Sequence, residues 1–140
     1  MIKEFQKEYR WLSNFVPVKI QIEDIFYTSV EHAYQSAKTD DTDWKEYCRL
    51  EDNPTIVKRQ SKNVILRKDW ETVKDLIMME LLRQKYSQEP YRQLLLDTKN
   101  EQIQEGNWWG DDYWGIDLRT GKGQNKLGKM IMKIRTEIKT

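Results

Sequence analysis

After Asp69, apolar residues recur at Trp70, Val73, Ile77, Met78, Leu81, Leu82 and Tyr86, the spacing that lines one stripe of an α-helix. A stripe this long must be covered by other apolar surface, so the segment is expected to be the core helix, with Asp69 placed to cap it. Before it, Val16, Val18, Ile20 and Ile22 alternate, and Ile25-Phe26-Tyr27-Thr28 follows Glu23-Asp24, which reads as a hairpin. Ile2 to Phe5 and Glu101 to Glu105 are short strand candidates. Short helices are expected at Asp43 to Leu50, from Pro54, and after Pro90 with Tyr91, Leu94, Leu95 and Leu96 as apolar positions. A last helix from near Asn125 carries Leu127, Ile131, Ile134 and Ile138 on one stripe and Lys122, Lys126, Lys129 and Lys133 on another. The sum is an α+β fold, a mainly helical single domain over residues 1–140 with a small antiparallel sheet.

One further helix has its faces reversed. In SVEHAYQSAK, Ser29 to Lys38, the positions that normally hold an apolar stripe hold Glu31, Tyr34, Gln35 and Lys38. The opposite side has only Val30, Ala33 and Ala37, which bury little surface. Residues seven apart differ by about 20° around a helix axis, so Glu31 and Lys38 share a sector with Gln35 between them and Tyr34 beside them. A surface helix with a Glu/Lys pair would look the same; the poor opposite face favours a ligand-facing one. Ser29 is its cap, with His32 where a capping-box glutamate would stand.

Two other segments bear chemistry. EGNWWGDDYWG, Glu105 to Gly115, holds three tryptophans and three carboxylates in eleven residues. Indole planes suit a flat heterocycle, and carboxylates suit ribose hydroxyls or a positively charged anomeric carbon. Some of these rings are expected to plug the core, with Trp109 and Trp114 left for a ligand. GKGQNKLG, Gly121 to Gly128, leads into the basic helix; free amides at such a helix start can hold phosphate, although a plain loop reads equally well.

Composition removes several classes. Cys48 and His32 are the sole residues of their types, so no intrachain disulfide forms, no metal site is expected and no cofactor is implied. Asp40 to Asp43 lacks the glycine and distal glutamate of a calcium loop and reads as a solvated turn. Charges at the N-terminus and the lack of a run of roughly 20 apolar residues argue against a signal peptide or membrane span, making a cytoplasmic location the expectation. The net charge is +1, yet the stretch from Gly121 onward carries +5, a basic element on a mildly acidic body. No G-x-S-x-G elbow or P-loop is present.

Taken together, WLSNF (Trp11 to Phe15), SVEHAYQSAK, RKDW (Arg67 to Trp70), EGNWWGDDYWG, and GQNKLG followed by MKIR (Met132 to Arg135) resemble the NADAR family of YbiA-like N-glycosidases, in family order along nearly the whole chain. The resemblance implies hydrolysis of the N-glycosidic bond of a ribosylated base or amine, either a phosphoribosylated riboflavin-pathway intermediate or ADP-ribosyl-guanine. It would place Asn14, Glu31, Lys38, Glu105, Asp111 and Trp114 in the pocket, with Asn125 and Arg135 in the terminal motif. Asp111 is preferred to Asp112 on the family's D-x-x-W-G spacing. The segment Asp52 to Leu66 departs from the pattern, being bulky and charged where relatives often have small residues.

The expected catalytic set is therefore Glu31, Lys38 and Asp111. Glu31 would act as acid-base or as counter-charge to an oxocarbenium-like sugar, and Lys38 as an amine able to form an imine with an opened ribose. The expected substrate-binding set is Asn14, Tyr34, Gln35, Glu105, Trp109, Trp114 and Asn125. The partner is a small-molecule N-riboside or an ADP-ribosylated nucleobase, with nucleic acid admissible as substrate through the Lys122 to Lys133 face. The alternative is a non-catalytic binding module for ADP-ribose or a related nucleotide.

Overall fold

The computed structural model describes residues 1–139. Its contacts group into two compact units, Asn14–Lys85 and Met1–Ser13 with Tyr86–Thr140, each built on its own helix packing. The fold is α+β and mainly helical, with one small antiparallel sheet.

In the Asn14–Lys85 unit, β1 (Ile20–Ile22) and β2 (Ile25–Tyr27) form the expected hairpin, pairing Ile20 with Tyr27 and Ile22 with Ile25. The turn is made possible by Glu23 in the left-handed region at φ 55°, a conformation that a glycine or asparagine would adopt more readily. Ile20 and Tyr27 face the core. Helix α1 (Val30–Ser36) follows, its first turn capped by Ser29, whose hydroxyl oxygen accepts from His32 N at 3.1 Å. Helix α2 (Thr42–Leu50) is capped by Asp41, which accepts from Asp43 N. The acidic turn is thus a helix start, still solvated. Asn53 caps α3 (Pro54–Gln60), with Pro54 in the first turn, where a missing N–H costs nothing.

Helix α4 (Trp70–Tyr86) is the long helix the periodicity predicts, with Trp70, Met78, Leu81, Leu82 and Tyr86 buried. Asp69 serves it through its backbone carbonyl, which accepts from Thr72 N and Val73 N; both of its carboxylate oxygens accept from the Arg67 guanidinium, at 2.6 and 3.0 Å. The capping expected of the side chain is therefore replaced by an ion pair. Helix α1 packs against α2, α3 and both strands of the hairpin.

The other unit opens with a 3-10 turn, Lys7–Leu12, and contains α5 (Tyr91–Asp97) and α6 (Lys126–Ile138), which pack together. Leu95, Leu127, Ile131 and Ile134 are the buried large apolar positions of these two helices. The two strands expected at Ile2 to Phe5 and Glu101 to Glu105 reduce to a single parallel bridge, Ile2 to Ile103. The pairing continues only as isolated bonds, such as Gly106 N to Lys3 O at 3.0 Å. Part of the tryptophan-rich segment is strand: β3 (Gly106–Asn107) and β4 (Ile116–Asp117) pair in parallel and hold the intervening turn at both ends. Arg135 ties α6 to the end of α5 by donating from Nη1 to Thr98 Oγ1 and Glu101 O, both at 2.9 Å.

Candidate active site

Every residue of α1 is buried, polar side included. This excludes the surface-helix reading, because a Glu/Lys pair on an exposed face would be solvated. Glu31 is 6% exposed and Gln35 3%, and Gln35 Nε2 donates to Glu31 Oε1 at 2.8 Å. Glu31 N donates to Asn14 O at 3.0 Å, which ties Asn14 to the first turn of the helix. Tyr34 is buried against Trp70, ring centroids 5.2 Å apart.

The C-terminal end of the helix is held by α2. Trp44 Nε1 donates to Gln35 O at 2.8 Å and Lys45 Nζ to Ser36 O at 3.4 Å, satisfying carbonyls that a helix end leaves without intrahelical partners. Trp44 carried no signal in the sequence beyond a place on a short amphipathic helix, yet it sets where the polar side of α1 sits.

Lys38 lies just past the helix, which ends at Ser36. Ala37 keeps right-handed backbone angles, and Arg67 N anchors Lys38 O at 2.8 Å. Its Nζ stands 5.7 Å from the centre of the Tyr34 ring. Burial pushes the Lys38 pKa below its ordinary value; the Glu31 carboxylate opposes this, and Lys58 and Lys74 reinforce it. The sequence leaves open whether desolvation or the nearby carboxylate prevails. Desolvation prevails, which enlarges the neutral, nucleophilic fraction of the amine.

Two buried oxygens in this unit have no hydrogen-bond partner among the described residues: Asn14 Oδ1 and Gln35 Oε1. Asn14 is 9% exposed, and its Nδ2 donates to Met78 Sδ at 3.6 Å, a weak acceptor. Unpaired buried acceptors cost free energy unless something donates to them.

His32 and Cys48 are structural. His32 Nε2 lies 2.7 Å from Glu51 O, which only accepts, so Nε2 bears the proton and Nδ1 accepts from Ser29 Oγ at 2.6 Å. Burial pushes the Cys48 thiol up to about 12, an inert group.

In the second unit the tryptophan-rich turn is organised by Asn107, fully buried, whose role sequence reasoning missed. Its Oδ1 accepts from Asp111 N at 2.9 Å, and its Nδ2 donates to Asp111 O at 2.8 Å and Glu105 Oε2 at 3.0 Å. Asp111 Oδ1 accepts from Tyr113 N at 3.1 Å and Trp114 N at 3.0 Å, so that oxygen shapes the turn. Glu105 is partly buried.

None of the three indoles of this turn plugs the core, contrary to expectation. Trp108 and Trp109 are each 60% exposed, and Trp114 is half-buried edge-on to Tyr113, 4.9 Å between centroids.

The start of α6 is not a phosphate cradle. Gln124 N donates to Asp112 O, Asn125 N to Gly115 O, Lys126 N to Tyr113 O and Leu127 N to Trp114 O, so the amides that would face an anion are consumed by the tryptophan-rich turn. Asn125 occupies the left-handed region at φ 50°, which asparagine tolerates. Its side chain is a bracket, Oδ1 accepting from Glu105 N and Nδ2 donating to Ile103 O, both at 3.0 Å. The basic stripe is mixed: Lys122, Lys129 and Lys133 are exposed, while Lys126 Nζ donates to Tyr113 Oη at 3.2 Å.

The sequence profile of the NADAR domain matches residues 2–139. The chain belongs to the NADAR family. This NADAR chain is 34% identical over 134 residues to the N-glycosidase YbiA of Escherichia coli K12, spanning 94% of the chain and 82% of that protein. It is 32% identical to an N-glycosidase of Nostoc punctiforme, covering 94% of the chain and 86% of the relative. A riboflavin biosynthesis protein of Vibrio vulnificus is 30% identical across 96% of the chain but only 37% of its own length. The NMR structure of the E. coli protein YbiA superposes with a TM-score of 0.84 at 30% identity, covering 99% of this chain and 87% of that one. These relatives place the NADAR chain among the N-glycosidases. Among the described residues no helix is long and apolar enough to cross a membrane.

Proposed function

We propose that this NADAR protein cleaves the bond between the anomeric carbon of a ribose and the nitrogen of a small base or amine, with the polar side of α1 as its reacting end. One observation carries the reading: Glu31 is a buried carboxylate oriented by Gln35, followed about two helical turns along the chain by an amine whose charged form burial disfavours. As the nitrogen departs, positive charge grows on the sugar, and a fixed carboxylate in a dry setting stabilises that charge more than it stabilises the substrate.

Lys38 supplies the covalent route for an amine leaving group. In the ring-opened form the substrate nitrogen is doubly bonded to C1. The neutral Nζ adds to C1, both of its protons pass in turn by way of Glu31 to the departing nitrogen, the C1–N bond breaks so that the nitrogen leaves as a neutral amine, and a C1=Nζ imine remains. Water hydrolyses the imine, releasing the sugar aldehyde and restoring Lys38. For the tryptophan-rich turn, taken by itself, we propose that Trp109 and Trp114 offer ring faces to a flat heterocycle, with Glu105, Asp111 and Asn125 shaping that turn.

A phosphoribosylated intermediate of riboflavin synthesis is the proposed substrate, supported by the name of the V. vulnificus relative. ADP-ribosyl-guanine is the competing one. Incubating the protein separately with phosphoribosyl pyrimidine intermediates and with ADP-ribosylated guanine DNA, then weighing the products, decides. Free pyrimidine and ribose 5-phosphate are expected from the first. Release from the DNA alone moves the assignment to ADP-ribose; intact recovery of both with a raised melting temperature turns the protein into a binding module.

A further inference from the structure

Three groups on or beside the first turns of α1 form a linked set: Glu31 accepts from Gln35 Nε2, and Glu31 N donates to Asn14 O. A carboxylate only accepts, so the Gln35 amide must present its nitrogen to Glu31 and its oxygen elsewhere. That oxygen, on a side chain 3% exposed, meets no donor, and neither does Oδ1 of Asn14, 9% exposed. Buried amide oxygens are almost always paired, since leaving one without a donor forfeits its hydration for no return. Two such oxygens, on residues that each hydrogen-bond to Glu31, call for a ligand that offers two O–H or N–H donors. A ribose beside its anomeric carbon offers the two hydroxyls of its vicinal diol.

We propose that Gln35 Oε1 and Asn14 Oδ1 each accept a hydrogen bond from one hydroxyl of the ribose diol, so that whichever of them takes the 2-hydroxyl separates ribosides from 2-deoxyribosides. The inference rests on the reading of α1 as the sugar-binding side. Gln35 has a second task as a positioning residue, because the same amide that reads the sugar holds Glu31 in place. A site with buried hydrogen-bonding groups rejects an analogue lacking the matching hydroxyl far more strongly than an apolar pocket rejects a missing methylene, since the protein group is left unpaired.

The test compares an N-riboside with its 2-deoxy analogue on native protein and on Gln35→Leu, Asn14→Leu and Asn14→Asp, with circular dichroism as the control for folding. Native protein is expected to favour the riboside by roughly 100-fold or more in kcat/KM. The preference should shrink to under about tenfold in at least one Leu variant. It should survive in Asn14→Asp, which keeps an acceptor oxygen at the same place. Gln35→Leu should in addition lower kcat on both substrates alike, the mark of a displaced Glu31. The same comparison is made by calorimetric binding of ribose 5-phosphate and 2-deoxyribose 5-phosphate, which reads the inference even where turnover is lost. Full discrimination in both Leu variants, or equal handling of the two sugars by native protein, overturns the inference and leaves the glycosidase reading standing. Loss of turnover with binding discrimination intact in the native protein counts against the glycosidase reading and supports the inference.

Discussion

Gln35 donates from Nε2 to Glu31 Oε1 at 2.8 Å, one helical turn apart on the buried polar side of α1. An i, i+4 amide-to-carboxylate bond on an exposed helix adds only about 0.2–0.5 kcal/mol. Here it has a different value, because both groups have left water and neither can turn to solvent for a partner. The pair fixes one carboxylate oxygen of Glu31.

Replacing Glu31 by Gln removes the negative charge while keeping the shape. The expected result is a loss of at least about 100-fold in kcat, with the riboside still bound. Steady-state kinetics beside a thermal melt separate this from unfolding; a variant that turns over at the native rate would remove Glu31 from the reaction.

Borohydride added during turnover should reduce the imine and leave a sugar-derived mass on Lys38, found by peptide mass spectrometry. Lys38→Arg, which keeps the charge but cannot form an imine under these conditions, should abolish the adduct and most of the turnover. An adduct-free native protein that still turns over would exclude the covalent route.

Lys38 also links stability to pH. Burial lowers its pKa in the folded protein relative to the unfolded chain, so the unfolded chain binds more protons between the two values. The penalty is complete below the folded pKa and is relieved as pH rises toward the ordinary lysine value. Lys38→Met should therefore raise the melting temperature at neutral pH, with the gain shrinking as pH approaches 10.5, the ordinary lysine value. Chemical denaturation across that range measures it, and a constant gain would contradict the assignment.

Asn107 latches the tryptophan-rich turn through Asp111 and Glu105. Asn107→Ala strands those partners and should cost about 1–3 kcal/mol in urea unfolding. Indole emission should change as the turn loosens. Asn107→Asp, which keeps the acceptor for Asp111 N but loses the donor, should retain part of the stability.

At Gly128 a β-carbon would collide with the carbonyl of Ile103 and with the Asn125 amide. Gly128→Ala gains helix propensity, about 1 kcal/mol, yet should destabilise on balance, since the Ile103 carbonyl is backbone and the Asn125 amide is held by its own hydrogen bonds. A melt showing net stabilisation would mean that the Ile103 segment moves aside freely.

The hairpin, the cap at Ser29, the helix start at Pro54 and the long helix from Trp70 were legible because each rests on neighbours a few residues apart. The reversed pattern of Glu31, Tyr34, Gln35 and Lys38 was legible for the same reason, as was the likeness to the NADAR family. What those four side chains face was not. A polar stripe is equally compatible with water and with a buried ligand, and only the packing of α2, α3 and the hairpin around α1 put it out of water.

The sequence by itself determined which segments are helix and which residues could bear chemistry, since periodicity, capping and turn preference act over one or two turns of chain. Tertiary structure alone decided that burial outweighs Glu31 in setting the state of Lys38. It also decided that the amides before α6 are spent on the carbonyls of Asp112 to Gly115. Desolvation and hydrogen-bond supply depend on every atom that displaces water from a group, and most of those atoms come from residues far away along the chain.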